Sequence, residues 1–137
     1  MRDYRIAVIP GDGIGIETIR EAVAALQATS ELHGGFRLRF DHFPWGCAYY
    51  LEHGEMMPRD GLTILGEYEA ILFGAVGAPT VPDHISLWGL LLPIRQAFDQ
   101  YINLRPIRLL PGIPSPLRFK GAEEINFVCI RENTEGE

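Results

Sequence analysis

The sequence predicts an α/β fold with a mostly parallel sheet flanked by helices, and three observations predict it. Strand-like and helix-like periods alternate along the whole chain. Apolar runs at residues 4–9 and 70–73 each empty into a glycine turn, the usual ending of a strand in such a sheet. No repeat or low-complexity segment interrupts the alternation.

Residues 4–9 form the first strand, and the turn at residues 11–15 leads into a helix whose Ile16, Ile19, Val23 and Leu26 recur at spacings of 3, 4 and 3. Glu17, Arg20, Glu21 and Gln27 fall on the opposite face, and the glycines at 34 and 35 supply the stop. Phe36, Leu38 and Phe40 alternate with Arg37, Arg39 and Asp41, which predicts a half-exposed second strand. Helical turns are expected at residues 48–52 and 59–65. The run at 70–73 reads as a central parallel strand. Residues 87–101 are helical in pattern despite Pro93, so the regular helix is expected to start near Leu92, with Ile94, Phe98 and Tyr101 as its apolar stripe. Residues 102–110 and 126–131 are further strands, and the proline-rich stretch at 111–116 is the candidate boundary or excursion between substructures.

The chain of 137 residues is 47% hydrophobic, enough to bury one core and hide roughly two thirds of its extended-chain surface. Its 12 basic and 18 acidic residues give a net charge of -6 with no Lys/Arg cluster, which argues against nucleic acid or an anionic membrane as the main partner. No stretch approaches the ~20 apolar residues of a membrane span, and the start lacks a signal-peptide pattern, so a cytoplasmic location is expected. Cys47 and Cys129 show no metal or redox spacing and read as buried free thiols.

Three arginines stand at the ends of apolar runs: Arg95, Arg105 and Arg131. A guanidinium is costly to bury unless it meets an anion, and its planar fork suits a carboxylate bidentately. One such arginine is ordinarily a solvated side chain; three in the same setting point to a shared site for a small multi-carboxylate acid. The turn at 11–15 could gather backbone N–H groups at a helix start onto an anion, but Ile16 stands where a Rossmann fingerprint needs glycine, and no acidic residue follows at the usual distance. A ligand-facing turn of another type is the stronger reading, beside a purely structural one. Residues 74–77 follow a strand's carboxyl end, where ligands of open α/β sheets collect, although a tight turn chosen for sterics would look the same. Glu132, Glu135 and Glu137 read as a solvated acidic turn rather than a metal cluster, and His33, His42, His53 and His84 lack metal spacing.

The order Ile-Pro-Gly-Asp-Gly-Ile-Gly (9–15), Phe-Gly-Ala-Val-Gly (73–77), Asp-His-Ile-Ser-Leu-Trp-Gly-Leu-Leu-Leu-Pro-Ile-Arg (83–95), Asn-Leu-Arg-Pro (103–106) and Arg-Glu-Asn-Thr-Glu-Gly-Glu (131–137) resembles the β-decarboxylating dehydrogenases, the isocitrate/isopropylmalate dehydrogenase-like family, and most their tartrate and D-malate branch. The resemblance implies the N-terminal portion of that fold. Residues 1–103 would be the first half of the cofactor domain, and 104–137 the start of a small, dimer-forming second domain. It implies substrate carboxylates on Arg95, Arg105 and Arg131, and an NAD nicotinamide near Ile14, Gly74, Ala75, Val76, Gly77, Ala78 and Pro79. It also implies a Mg or Mn ion, whose Asp ligands lie beyond residue 137 together with the family's Tyr and Lys, so that no catalytic or metal residue is visible in this chain. Isocitrate is disfavoured by Gly89 and Leu91, where isocitrate enzymes carry Ser and Asn. Isopropylmalate enzymes use leucines near Leu91 and Leu92 but have an upstream Glu and a longer loop where this chain has Ser86, Leu87 and Trp88. Tartrate or D-malate is therefore expected ahead of 3-isopropylmalate, with a homodimer when full length and an inactive fragment otherwise. A non-catalytic remnant acting as a binding module is the rival from another class, and a continuing reading frame with a Tyr after Glu137 would separate the two.

Overall fold

The computed structural model of the chain describes residues 2–134. The chain divides into two compact units, Met1–Phe98 and Asp99–Glu137. In the first, β1 (Arg2–Ile9) leads through α1 (Ile14–His33) to β2 (Phe36–His42), then α2 (Cys47–His53), α3 (Gly61–Leu65) and β3 (Ala70–Phe73). The three strands form one parallel sheet in the order β2-β1-β3, as the alternation predicted.

The middle position among the described strands belongs to β1, not to the run ending at Phe73. β1 pairs with β2 from Arg2↔Phe36 to Val8↔His42 and with β3 from Ile6↔Ala70 to Ile9↔Phe73. Its Ala7, Val8 and Ile9 are wholly buried, whereas β3 is only half-buried. Over Ala7–Ile9 both ladders and both faces of β1 are thus covered, which the short apolar run of β3 imitates without reaching. Ala7 and Ile9 join Trp45, Cys47, Met56, Leu65, Val81, Leu90 and Ile94 in the core. Each large apolar side chain there contributes about 1.5–3 kcal/mol by leaving water.

α1 buries Gly15, Ile19 and Ser30 and half-buries Val23 and Leu26. Ile16, expected in that stripe, is 58% exposed. The contact row starts one residue earlier, at Gly15, whose lack of a side chain hides it from a hydrophobic count. Ser30 is satisfied because its hydroxyl donates to the Phe36 carbonyl at 2.9 Å. The helix stops where the Gly34 N–H donates to the Ser30 carbonyl.

After β3 come α4 (Asp83–Ser86), a π turn (Leu87–Leu91) and α5 (Leu92–Ala97). The regular helix starts at Leu92, as Pro93 required. Pro93 has no N–H to offer the Gly89 carbonyl, so the turn before it opens, and the Leu92 N–H reaches back to Leu87 instead. Leu90 points into the core at 0% exposure. The expected stripe to Tyr101 is too long: α5 ends at Ala97, Asp99 takes a positive φ of 47°, and Tyr101 is 56% exposed in the second unit.

The second unit is an antiparallel ribbon of β4 (Ile102–Arg108) and β5 (Asn126–Glu132), in register from Ile102↔Glu132 to Arg108↔Asn126. The proline-rich stretch at 111–116 lies inside this unit, in the connection between the two strands, rather than between units; the division falls after Phe98. No helix among the described residues is long and apolar enough to cross a membrane.

Candidate functional site

In the first unit the three parallel strands end on one side, and their exit loops meet at Asp12. The Asp12 N–H donates to the Ala75 carbonyl at 2.7 Å, and the Gly74 N–H donates to the Ile9 carbonyl at 2.8 Å, so the loop after β3 stays laddered to the loop after β1. The Asp12 side chain accepts from the Cys47 N–H at 2.9 and 3.1 Å and from the Gly77 N–H at 3.0 Å. One carboxylate therefore joins the first glycine turn, the start of α2 and the 74–79 loop. Asp12 is 8% exposed. Burial alone would raise its pKa, but the hydrogen bonds from Gly77 and Cys47 outweigh that and hold it below the ordinary 3.8. The same burial, with the carboxylate beside it, pushes the Cys47 thiol up to about 11. Sequence reasoning missed Asp12, because an aspartate between two glycines looks like any turn residue.

The glycines of these loops owe their identity to close packing. A Cβ on Gly74 would collide with the Pro10 carbonyl and one on Gly11 with the Ala75 carbonyl, so the two loops touch backbone to backbone. Gly46, at φ 155° and ψ -162°, occupies a region open to glycine alone, and a Cβ there would come within 2.9 Å of the Asp12 Oδ1. Ile14, the first residue of α1, is 62% exposed, and the helix N-terminus at Gly13 has no side-chain cap. Ile14 and the loop of Gly74, Ala75, Val76, Gly77, Ala78 and Pro79 are thus brought to one side of the sheet, with Ala75, Gly77 and Pro79 exposed. The Gly15 N–H donates to the Asp12 carbonyl at 2.9 Å and the Ile16 N–H to the Gly13 carbonyl at 3.3 Å, so what this face offers a ligand is mainly exposed loop backbone.

Arg105 and Arg131 lie in the second unit. Arg105 stands opposite Cys129, and Arg131 stands opposite Asn103. Alternation puts Asn103, Arg105, Cys129 and Arg131 on one face of the ribbon, with the two arginines as diagonal neighbours, roughly 7–8 Å apart by ordinary ribbon spacing. The Arg105 Nε donates to the Asn103 Oδ1 at 3.4 Å, the Asn103 amide donates to the Asn133 Oδ1 at 3.3 Å, and the Asn133 amide donates to the Gln100 carbonyl at 3.1 Å. Both arginines are exposed, which corrects the idea that their apolar neighbours bury them: Leu104 and Ile130 point to the other face. Arg95 is half-buried in α5 beside Ile94 and belongs to the first unit.

Among the described residues no group of three His, Cys, Asp or Glu side chains could hold a metal ion. Glu132 accepts from the Thr134 N–H at 2.6 Å and from its hydroxyl at 2.8 Å, closing the turn after β5, while Glu135 and Glu137 lie outside the described residues. Cys47 is buried as expected, but Cys129 is exposed, because a two-stranded ribbon leaves its arginine-bearing face open. The motif at 83–95 lines a groove of about 430 Å³ through His84, Ile85, Trp88 and Gly89.

The sequence profile of the isocitrate/isopropylmalate dehydrogenase family matches residues 5–137. The chain is 55% identical over 137 residues to a probable tartrate dehydrogenase/decarboxylase of Agrobacterium vitis. It is 56% identical over 139 residues to the decarboxylating D-malate dehydrogenase of Escherichia coli strain K12. Each alignment takes in 100% of this chain and 38% of the relative, so the chain spans well under half the length of these proteins. A β-decarboxylating dehydrogenase of Thermococcus kodakarensis superimposes on 97% of the chain with a TM-score of 0.71 at 34% identity, over 35% of its own length.

Proposed function

The chain belongs to the isocitrate/isopropylmalate dehydrogenase family, and from that premise we propose that it is the N-terminal part of an NAD-dependent enzyme oxidising and decarboxylating a small 2-hydroxy dicarboxylic acid, tartrate or D-malate. The observation that carries the reading is the pair Arg105 and Arg131 on one ribbon face, in a chain 55–56% identical to relatives named for those acids. Two guanidinium forks at that spacing can each take a carboxylate of a four-carbon diacid. Arg95 is the third carboxylate partner in this reading.

The arginines bind and orient: by holding both carboxylates, Arg105 and Arg131 would fix the carbon that bears the hydroxyl and its hydrogen. Fixing two reactants in line can account for about 7–11 kcal/mol of the barrier at best. When bound, NAD would supply the hydride acceptor for that carbon, and a Mg or Mn ion would supply a Lewis acid for the oxygen it carries. Among the described residues nothing holds such an ion, and its ligands are assigned to sequence outside this chain. The complete enzyme is a cytoplasmic homodimer in this reading.

In the complete protein, Arg105→Ala is expected to raise KM for tartrate or D-malate by about a hundredfold, the usual 2–3 kcal/mol of a charge-assisted contact, with KM for NAD little changed. Steady-state kinetics with each substrate varied in turn measure this, and equal rises in both would undo the assignment. Residues 1–137 alone should not reduce NAD in the presence of either acid and Mn, and turnover by the purified 137-residue chain would refute that.

A further inference from the structure

We infer that Asp12 is a positioning residue for the cofactor face: its carboxylate sets the loop of residues 74–79 against the first glycine turn, so that affinity for the nicotinamide nucleotide depends on a side chain that touches no substrate. The identity of the ligand rests on the reading above; the joint itself rests on hydrogen bonds.

Asp12 is tied to that loop twice. Its own N–H donates to the Ala75 carbonyl, and its side chain receives the Gly77 N–H two residues later, closing a small ring around Val76. The other side of the carboxylate receives the Cys47 N–H, so the loop is anchored to α2 and through it to the core residues Cys47 and Met56, to which Gly46 is itself bonded by its N–H. Gly77 holds φ 142°, a backbone state open to glycine, and the space beside it is open. The carboxylate also meets the Cys47 thiol, but its donors from the loop and from the start of α2 are backbone N–H groups, so what it fixes there is main-chain position. Since the loop's exposed atoms are backbone and small side chains, its placement is what a ligand would read.

The test uses the protein made from the complete reading frame that contains these residues. Asp12→Asn keeps the shape and one acceptor oxygen but turns an N–H group toward one of its two donors. KM for NAD should rise about tenfold, the size of one charge-assisted hydrogen bond, while kcat and KM for the diacid stay within about twofold. Amide exchange at Gly77 and Ala78 should quicken, with β1 unchanged. KM values for NAD and diacid rising together, or an unchanged KM for NAD, would overturn the inference. If the unsubstituted protein reduces no NAD with either acid, the functional reading fails separately. Exchange then decides the joint: faster exchange confined to 74–79 upholds it, and unchanged exchange at Gly77 overturns it. Should Asp12→Asn not fold, amide exchange in the unsubstituted protein decides: protection of the Gly77 N–H comparable with β1 upholds the joint, and exchange at the rate of an open loop overturns it.

Discussion

Asp12 shows how much a single side chain can hold. Its removal strands the Cys47 N–H in a place water barely reaches and releases the Gly77 N–H of the exposed loop, and a buried unsatisfied donor costs about 1–3 kcal/mol. Asp12→Ala should therefore lower unfolding free energy by at least that much, measured by urea denaturation at neutral pH. The pH dependence has a definite sign. The folded-state pKa lies below the ordinary 3.8, so the carboxylate's contribution is complete above about that pH and is lost as pH falls through the folded value. In the Asp12→Ala protein this part of the acid sensitivity should vanish. The two cysteines diverge at the same scale: Cys47 is buried with its thiol pushed up to about 11, while Cys129 is exposed. Iodoacetamide at pH 8 should give one adduct, at Cys129, by peptide mass mapping, and Cys47 should react only on unfolding.

At the level of elements, the π turn at Leu87–Leu91 fixes which side chains of the motif at 83–95 reach the core. It delivers Leu90 there fully buried, in contact with the cluster around Met56, and leaves Trp88 64% exposed. Gly89 sits so close to Met56 that a Cβ would lie 2.6 Å from its side chain, so the turn is packed as well as bent. Leu90→Ala should cost about 2–5 kcal/mol, read as a lowered denaturation midpoint. The sequence announced the bend through Pro93, but it could not announce the π geometry, since periodicity over five residues does not separate a wide turn from a regular one. The same limit explains α1. A stripe through Ile16 was legible, yet the contact row is led by Gly15, and only the backbone-to-backbone approach of the neighbouring loops shows why. The parallel sheet followed from strand patterns; residues 102–110 and 126–131 were legible as strands, but their antiparallel pairing in a separate ribbon was not. Nor was strand order, because β1 and β3 both present short apolar runs, and only the ladders reveal that β1 has two partners. Of the candidate site, the arginines and glycine turns were readable as residue types in suggestive places, whereas the Asp12 joint depends on contacts 35 and 65 residues apart in sequence.

For the whole molecule the question is what the ribbon's second face is for. Alternation gives β4–β5 one face with Asn103, Arg105 and Arg131 and another with Ile102, Leu104, Val128 and Ile130, exposed by 57%, 60%, 55% and 70%. Four large apolar side chains side by side form a patch that a stable monomer rarely leaves open, and a two-stranded ribbon is marginal without cover. In the reading proposed above, the arginine face serves the substrate and the apolar face is covered by the rest of the enzyme or its partner subunit. The 137-residue chain studied alone lacks that cover, so it should associate as its concentration rises, which sedimentation velocity would register as a growing weight-average mass. Leu104→Lys with Ile130→Lys places two like charges directly opposite each other on that face and should return the chain toward monomer. The edge of β3, with no neighbour among the described strands, is the competing cause of association. If the double variant associates as strongly as the original chain, the sheet edge and not the ribbon face drives self-association, and the apolar face loses its claim to be an interface.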